Sequence, residues 1–445
     1  MATNSRAVFV TRLGGIAAAV GSAVGLGNIW RFPYETGQNG GAAFILIYIL
    51  CVLLLGTPLM LAELTLGRLT HSNPVGAYKS LAPKAKGAWS ILGYAGAIAM
   101  LLIVGFYSVV AGWTLHYSSG AILDSIPVFA DYSQSAMGPV SWLTVFILLN
   151  AGILLGGVQK GIERASNILV PFLGVILVVL CVNSLLLPKA SLGLDFLFHP
   201  DFSKINASVV VSALGQSFFS ISVGISCLLT YGSYLGDETK MGKTAISITL
   251  LDTLIAILAG IIIFPACYQF GVEPGAGPGL AFITLPEVFH QMTGGYWLCV
   301  AFFVLLAVAA LTSTLSMFET PIAILQEEFH LKRSTAVIIV CIIGEVLGLG
   351  CALSFVPEYT STFSIFGYTL FDAFDKFTAN IIMPSCGMLM ALFAGWVVDK
   401  KKLYNAFTNN GKESAWYYSC FMFVVRFFAP ICILLIFLSG LGLLG

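Results

Sequence analysis

The sequence predicts an all-α polytopic membrane protein with eleven transmembrane helices, and three observations carry that reading. First, 58% of the 445 residues are apolar and only 9% are charged. Soluble proteins carry about 25% charged residues, and a soluble domain this poor in charge would expose too much apolar surface. Second, apolar stretches of the roughly 20 residues that cross a bilayer recur along the whole chain. Third, basic residues are confined to alternate connections.

The expected segments are Leu13–Glu35, Ala42–Gly67, Trp89–Ser118, Val140–Gly156, Ile162–Leu187, Val209–Tyr234, Thr244–Phe270, Trp297–Leu325, Ala336–Phe355, Leu370–Val398 and Tyr417–Leu444. Between the seventh and eighth, Ala281–Gln291 is apolar but too short to span, so a helical hairpin over the outer mouth is expected there. With the N-terminus inside, cytoplasmic connections hold sixteen basic residues, from Arg6 and Arg12 through Lys332 and Arg333 to Lys400, Lys401, Lys402 and Lys412, and external ones hold two, Lys189 and Lys204. An odd helix count then puts the C-terminus outside, in a multi-pass protein of the cell membrane surrounded by lipid. No cleavable signal peptide is expected.

Several function classes are excluded. Net charge is zero, which argues against a nucleic-acid partner. The ten cysteines stand singly in apolar runs, without metal or redox spacing. No nucleophile–base set and no P-loop is present, so no catalytic residue is expected and the chain is not read as an enzyme or an ATP-driven pump. A channel would need a continuous filter, which the sequence does not show. An amino-acid receptor on a transporter fold stays open at this level.

Two segments are poor uninterrupted helices. The first contains Gly21–Asn28 (GSAVGLGN) and the sixth Ser220–Ser226 (SISVGIS). Glycine makes it cheap to leave helical geometry, but irregular backbone at membrane depth is tolerated only where it is buried or lines a cavity. One such segment would suit close packing through small residues. Two, five helices apart and each among polar side chains, point to a transporter binding site.

The run Gly21–Pro33 (GSAVGLGNIWRFP), followed by Asn39-Gly40-Gly41, resembles the signature of the neurotransmitter:sodium symporter family. Gln216–Ser222 (QSFFSIS) and Ala309–Ser313 (AALTS) are further matches, and the resemblance covers nearly the whole chain. It implies one transporter domain over residues 1–445 of the leucine-transporter type. Two inverted five-helix repeats, residues 1–187 and 207–398, would be followed by an additional helix at 417–444. The implied activity is sodium-coupled import of neutral, hydrophobic L-amino acids by alternating access. The oligomeric state is not legible.

The resemblance also implies residue roles. One sodium ion would be held by the Ala23 carbonyl, Asn28, Ser220 and Asp252. A second would be held by the carbonyls of Gly21, Val24 and Ala309 and the hydroxyls of Thr312 and Ser313. Substrate would lie between the breaks, against Ala23, Leu26, Gly27, Tyr107, Ser220, Ser222 and Ser313. Ile103, Phe219, Ile225 and Met317 would form an apolar side-chain subsite. Arg31 and Asp375 would form an outer gate. Arg6 and Glu327 would form an inner gate, or else are two solvated surface charges. Gly161 and Pro171 match a spacing associated with unwinding of the fifth helix, or an ordinary proline kink. No chloride is expected. Tyr48, Gln216 and Ser220 resemble part of a chloride site, but Ala256 lacks the fourth hydroxyl and Asp252 supplies a carboxylate. Glu63 and Arg426 are further charges at membrane depth, with no role derivable from sequence.

Overall fold

A computed structural model of the chain describes residues 8–271, 281–412, 414–440 and 443. Nine helices among the described residues are long and apolar enough to cross a membrane: Ala42–Thr70, Gly87–Ile122, Met137–Leu155, Val158–Leu185, Met241–Phe270, Gly295–Glu328, Arg333–Leu353, Leu370–Val397 and Trp416–Leu438. They coincide with the second to fifth and seventh to eleventh expected segments. The first and sixth segments are interrupted. The first runs as helix over Arg12–Ala23, opens at Val24 and Gly25, and resumes from Leu26 through a π-turn at Gly27–Arg31 into Phe32–Gln38. The sixth is helical over Ala207–Ser220 and again over Cys227–Gly232.

Local chemistry explains the ends. Thr11 caps the first helix, its side chain accepting the Gly14 N–H, and Asn206 caps the sixth by accepting from Val209. The sixth leaves helical geometry where Ser222, Gly224 and Ser226 all adopt positive φ, at +55°, +87° and +62°. Glycine is required at 224, because a Cβ there would meet the Met383 carbonyl oxygen.

The third and eighth spans form the centre of the bundle. The eighth packs on the third, the fifth and the first, and the third also packs on the ninth and the fourth. The fifth, ninth and eleventh turn exposed Val175, Ile342 and Ile431 outward, as a lipid-facing surface does. The second span lies backbone-to-backbone on the sixth. A Cβ on Gly67 would run into the Leu229 carbonyl oxygen, and one on Gly232 into that of Leu64.

The structure departs from expectation in the connections. In place of a helical hairpin at 281–291 there is one short helix, Thr284–His290, packed on the seventh and eighth spans; residues 272–280 lie outside the described residues. Eleven residues make about three helical turns, too few for two helices and the turn between them. Short helices at Pro74–Leu81, Ala190–Phe198 and Lys400–Thr408, and a small hairpin pairing Ser364–Ile365 with Tyr368–Thr369, had no counterpart in the segment reading. Each is too short to register against a bilayer-length window. The fifth span is wound throughout: a π segment, Val158–Glu163, passes directly into the α-helix Arg164–Leu185 with Pro171 inside it.

The Gly67 contact makes a testable demand. Gly67→Val is expected to destabilise the protein by about 1–3 kcal/mol, as overpacking does, read as a lower thermal-unfolding midpoint in detergent. Gly152→Ala, where a Cβ meets nothing within 4 Å, is expected to leave the midpoint unchanged. A Gly67→Val midpoint equal to the parent's would contradict the packing described.

Candidate functional site

The two breaks face each other in the middle of the bundle, and side chains from neighbouring spans satisfy their freed backbone. Glu63, fully buried on the second span, accepts the Gly224 N–H at 2.8 Å, and the Leu228 and Leu229 amides lie against the same carboxylate. The second piece of the sixth helix therefore starts on an acidic side chain, the residue type favoured at a helix N-terminus. Asn28 does the same for the first break: its side-chain oxygen accepts the Gly25 N–H at 3.1 Å.

Asn28 also closes a polar cluster with the sixth and seventh spans. Its amide nitrogen donates to Ser220 Oγ at 3.1 Å, to the Asp252 carbonyl at 3.0 Å and to Asp252 Oδ1 at 2.7 Å. Ser220 donates to Asp252 Oδ2 at 2.7 Å, and the Tyr48 hydroxyl lies 3.2 Å from Ser220 Oγ and 3.4 Å from Asp252 Oδ2. Asn28, Tyr48 and Asp252 are each fully buried. A carboxylate in such surroundings needs partners, and here three side chains supply them. Ala23, the last residue of the first helical piece, is also buried.

A second cluster joins the first break to the eighth span. Ser313 Oγ stands 3.3 Å from the Gly21 carbonyl oxygen, 3.3 Å from that of Ser22 and 3.2 Å from that of Val24. One turn of the same helix presents Thr312 Oγ1, which lies 3.1 Å from the Ala309 carbonyl oxygen. A Cβ on Gly21 would sit 3.3 Å from Thr312 Cβ and 3.1 Å from Val170 Cγ2 of the fifth span. The chemistry is uniform: carbonyl and hydroxyl oxygens, the donors that suit hard cations.

Between the clusters, the Tyr107 hydroxyl accepts the Leu26 N–H at 2.7 Å. A Cβ on Gly25 would collide with Ser313 Oγ and crowd the Tyr107 hydroxyl, so only glycine lets the break approach both. Ile103, Phe219, Ile225 and Met317 belong to one buried apolar cluster. Ser222 Oγ, from the sixth break, lies 3.5 Å from the Ser22 carbonyl oxygen, and a Cβ on Gly27 would stand 3.1 Å from the Phe219 ring.

Above Phe219 lies Arg31, its guanidinium carbon 4.8 Å from the ring centroid. Arg31 donates to Gln216 at 2.8 Å and stands 3.4 Å from Glu35 and 3.8 Å from Asp375. The Arg31–Asp375 approach is an ion pair without a direct hydrogen bond. Gln216 in turn donates to the Gly27 carbonyl at 2.8 Å, so it serves the arginine and the π-turn. Further out, Trp113 packs edge-on against Phe129, Phe282 and Phe355 and stacks on Phe371, with ring centroids 5.1 to 6.1 Å apart.

At the other end, Arg6 lies outside the described residues. Glu327 accepts the Asn73 backbone N–H at 2.8 Å and its amide at 3.0 Å. The chain entering the first helix is tied to the fifth span: Glu163 accepts the N–H groups of Val10 at 2.8 Å and Thr11 at 3.1 Å. Phe9 donates its N–H to the Tyr234 carbonyl at 3.0 Å and packs edge-on against Tyr231 and Tyr234. Gly161 sits in the π segment, where a Cβ would meet the Ile153 carbonyl oxygen. Near it, Arg333 pairs at 2.7 Å with fully buried Glu319, which also accepts the Tyr234 hydroxyl at 2.7 Å.

Sequence reasoning missed the parts played by Glu63, Glu35, Glu163 and the Arg333–Glu319 pair. Glu35 was within reach, four residues after Arg31 on a helix. Glu63 stood out as a charge in an apolar run, but its partner, 161 positions away in sequence, is backbone. Glu163 carries no signal, because its partners are the N–H groups of Val10 and Thr11.

Comparisons with known proteins agree with one another. The model of the sodium:neurotransmitter symporter family matches residues 6–130 and 129–442. The chain is 36% identical over 446 residues, 98% of each chain, to an uncharacterized sodium-dependent transporter, YhdH, of Bacillus subtilis. It is 28% identical over 368 residues, 71% of this chain and 58% of the other, to a sodium-dependent serotonin transporter of Drosophila melanogaster. The crystal structure of MhsT in complex with L-phenylalanine superposes with a TM-score of 0.91 at 40% identity, covering 98% of this chain and all of that one.

The Gly25 contact tests whether the breaks form one cation-responsive unit. A cation at a hundredfold excess over its Kd stabilises the state it binds by about 2.7 kcal/mol. Sodium is expected to raise the unfolding midpoint of the parent protein over potassium, and Gly25→Ala to lose most of that rise. Gly174→Ala, with nothing within 4 Å of a new Cβ, is expected to keep it. Equal sodium shifts in all three proteins would show that Gly25 is not part of the unit.

Proposed function

The chain belongs to the sodium:neurotransmitter symporter family, and on that premise we propose that it imports neutral, hydrophobic L-amino acids by sodium-driven alternating access, without chloride. Sodium-coupled transport across a membrane is what the family does. The finer reading rests on one observation: oxygens from both broken helices and from the seventh and eighth spans converge where buried Ile103, Phe219, Ile225 and Met317 stand.

In this reading one sodium ion binds at Asn28, Ser220 and Asp252 with the Ala23 carbonyl. The Asn28 side-chain oxygen, which accepts the Gly25 N–H, is the atom that would ligate the ion. The second ion binds among the carbonyls of Gly21, Val24 and Ala309 and the hydroxyls of Thr312 and Ser313. Cation attraction to Ser313 and to the break holds the eighth span and the first helix together, so that filling the site favours one relative placement of the two. That differential affinity is the physical content of coupling.

The substrate carboxylate would take the Tyr107 hydroxyl and the Leu26 and Gly27 backbone, and would complete the first ion's shell. Its ammonium would meet backbone and hydroxyls near Ala23, Phe219, Ser220 and Ser222. Ile103, Phe219, Ile225 and Met317 offer an apolar side chain no charge to pair with. L-Phenylalanine bound to MhsT is a ligand of this chemistry. Arg31 and Asp375 would close the outer side over Phe219. Arg6 and Glu327 would close the inner side, where opening would use local unwinding between Gly161 and Pro171. The two repeats, 1–187 and 207–398, would move against each other, with the N-terminus cytoplasmic and the C-terminus outside.

Asp252 carries the chloride argument. Two negative charges a few ångströms apart in a low-dielectric site repel strongly. Chloride would have to bind beside a carboxylate that already accepts from Asn28 and Ser220. The fourth hydroxyl position is Ala256, packed in apolar surroundings with Tyr48.

Two outcomes are expected in proteoliposomes. An inward sodium gradient is expected to accumulate labelled leucine above equilibrium, and potassium to abolish this. Three extra methylene equivalents at about 0.8 kcal/mol each let leucine outcompete alanine by at least about tenfold. Binding without accumulation would indicate a receptor, and strong competition by glutamate would refute the pocket assignment. Second, replacing chloride by gluconate is expected to leave uptake unchanged. Asp252→Asn is expected to weaken sodium dependence by about 10- to 100-fold, as loss of a charged partner does, with partial rescue by chloride in Asp252→Asn/Ala256→Ser. A large loss of parent uptake in gluconate would overturn the role given to Asp252.

A further inference from the structure

One cluster of basic residues takes no part in the transport reading. Beyond the tenth span, the short helix Lys400–Thr408 lies beside the start of the eleventh span, at the end of the bundle that also carries Lys79 and Lys332. A cavity of about 690 Å³ opens between them, lined by Lys400, Lys401 and Arg426 together with Tyr404 and Tyr418. Among the described residues no ion pair joins any of these three cations to a carboxylate. The nearby acid, Asp399, is engaged in capping the short helix, where it accepts the Lys402 N–H at 2.9 Å.

The cavity is a built feature. Arg426 donates from Nε to the Gly395 carbonyl at 2.6 Å, and its guanidinium carbon lies 5.6 Å from the centroid of the Trp396 ring. Trp396 donates in turn to the Arg426 carbonyl at 3.3 Å. Both residues sit in π-helical segments, Phe393–Val397 and Val424–Phe428; Gly395 lies in the last turn before the helix ends at extended Val398, and Arg426 stands four residues before Pro430, which has no N–H to offer its carbonyl. The guanidinium is thereby held through Nε, and among the described residues its Nη groups meet no carboxylate. The Tyr418 hydroxyl reaches the Lys400 carbonyl at 3.4 Å, and Tyr404 packs edge-on against Tyr418.

The rest of the lining is apolar. Met422 is buried, while Phe423 and Phe427 are exposed on the outer face of the span. Exposed Trp396 and Trp416 mark this level as a membrane–water interface, where tryptophan collects. Three cations that pair with no carboxylate among the described residues, continuous with an aromatic face directed to the acyl chains, are complementary to one ligand chemistry: a phosphate diester carrying hydrocarbon tails.

We propose that this cavity binds the headgroup of an anionic phospholipid from the leaflet on that side. The phosphate would lie between Arg426, which can offer a fork of N–H donors, and the point charges of Lys400 and Lys401. The acyl chains would run along Phe423 and Phe427. Basic pockets between spans on the cytoplasmic side hold such headgroups by this combination.

Native mass spectrometry of the purified protein, equilibrated with equal amounts of phosphatidylglycerol and phosphatidylcholine, tests the assignment. The parent protein is expected to retain phosphatidylglycerol preferentially. Lys400→Gln/Lys401→Gln is expected to retain about 30-fold less of it, from two lysines near a headgroup, with phosphatidylcholine retention unchanged. Both lysines are exposed, so this variant is expected to fold even if Arg426→Gln does not. An excess of inorganic phosphate is expected to leave retention unchanged, because it lacks the tails. Undiminished phosphatidylglycerol retention in the double variant would overturn the proposal, and displacement of the lipid by phosphate would replace it with a free-anion site.

Discussion

Backbone N–H and C=O groups released from a helix inside a bilayer have no water to turn to, and each one left unmade costs several kcal/mol. This chain opens two helices at that depth, and the arrangement around them follows from the need to satisfy what they release. Glu63 takes the Gly224 N–H, Asn28 takes that of Gly25 and Tyr107 takes that of Leu26. Ser313 gathers carbonyls from Gly21, Ser22 and Val24. Every one of these partners lies on a different turn or span from the group it serves, so the breaks are also the points where the bundle is cross-linked.

The same need links the two clusters. Carbonyls that a serine hydroxyl can satisfy only in part are suited to a cation, which can accept several of them at once. The first break is shared by both clusters: Asn28 reaches the sixth and seventh spans, and the Gly21–Val24 carbonyls reach the eighth. An event at either cluster therefore acts on one short stretch of backbone. That stretch continues through a π-turn to Arg31, which contacts Gln216, Glu35, Asp375 and Phe219. Gln216 binds both Arg31 and the Gly27 carbonyl, giving the arginine and the break a common partner. Two-state elements biased from both sites are what long-range coupling requires.

Much of this was legible in the sequence, and the reason is specific. Apolar runs of bilayer length predict spans well, because lipid leaves few other solutions for the backbone. Gly21, Gly25, Ser220, Ser222 and Gly224 mark the breaks in composition. What composition could not carry was the pairing of side chain with distant backbone. Glu163 receives the N–H groups of Val10 and Thr11, and an amide has no residue type. Gln216, read beside Tyr48 and Ser220, turns instead to Arg31, a choice that depends on rotamer. The wound fifth span is a comparable case. Gly161 and Pro171 permit unwinding, but permission is not occupancy, and this conformation keeps the helix closed. The short helices at Pro74–Leu81 and Lys400–Thr408 fell below the length at which hydropathy distinguishes helix from loop.

The central claim is that backbone and side-chain oxygens at the two breaks bind sodium together with an amino acid. Equilibrium binding of labelled leucine to the purified protein, measured across sodium concentrations at constant ionic strength, tests it most directly. The account predicts binding that rises more steeply than first order in sodium and vanishes in potassium. Leucine binding that is unchanged when potassium replaces sodium would contradict it.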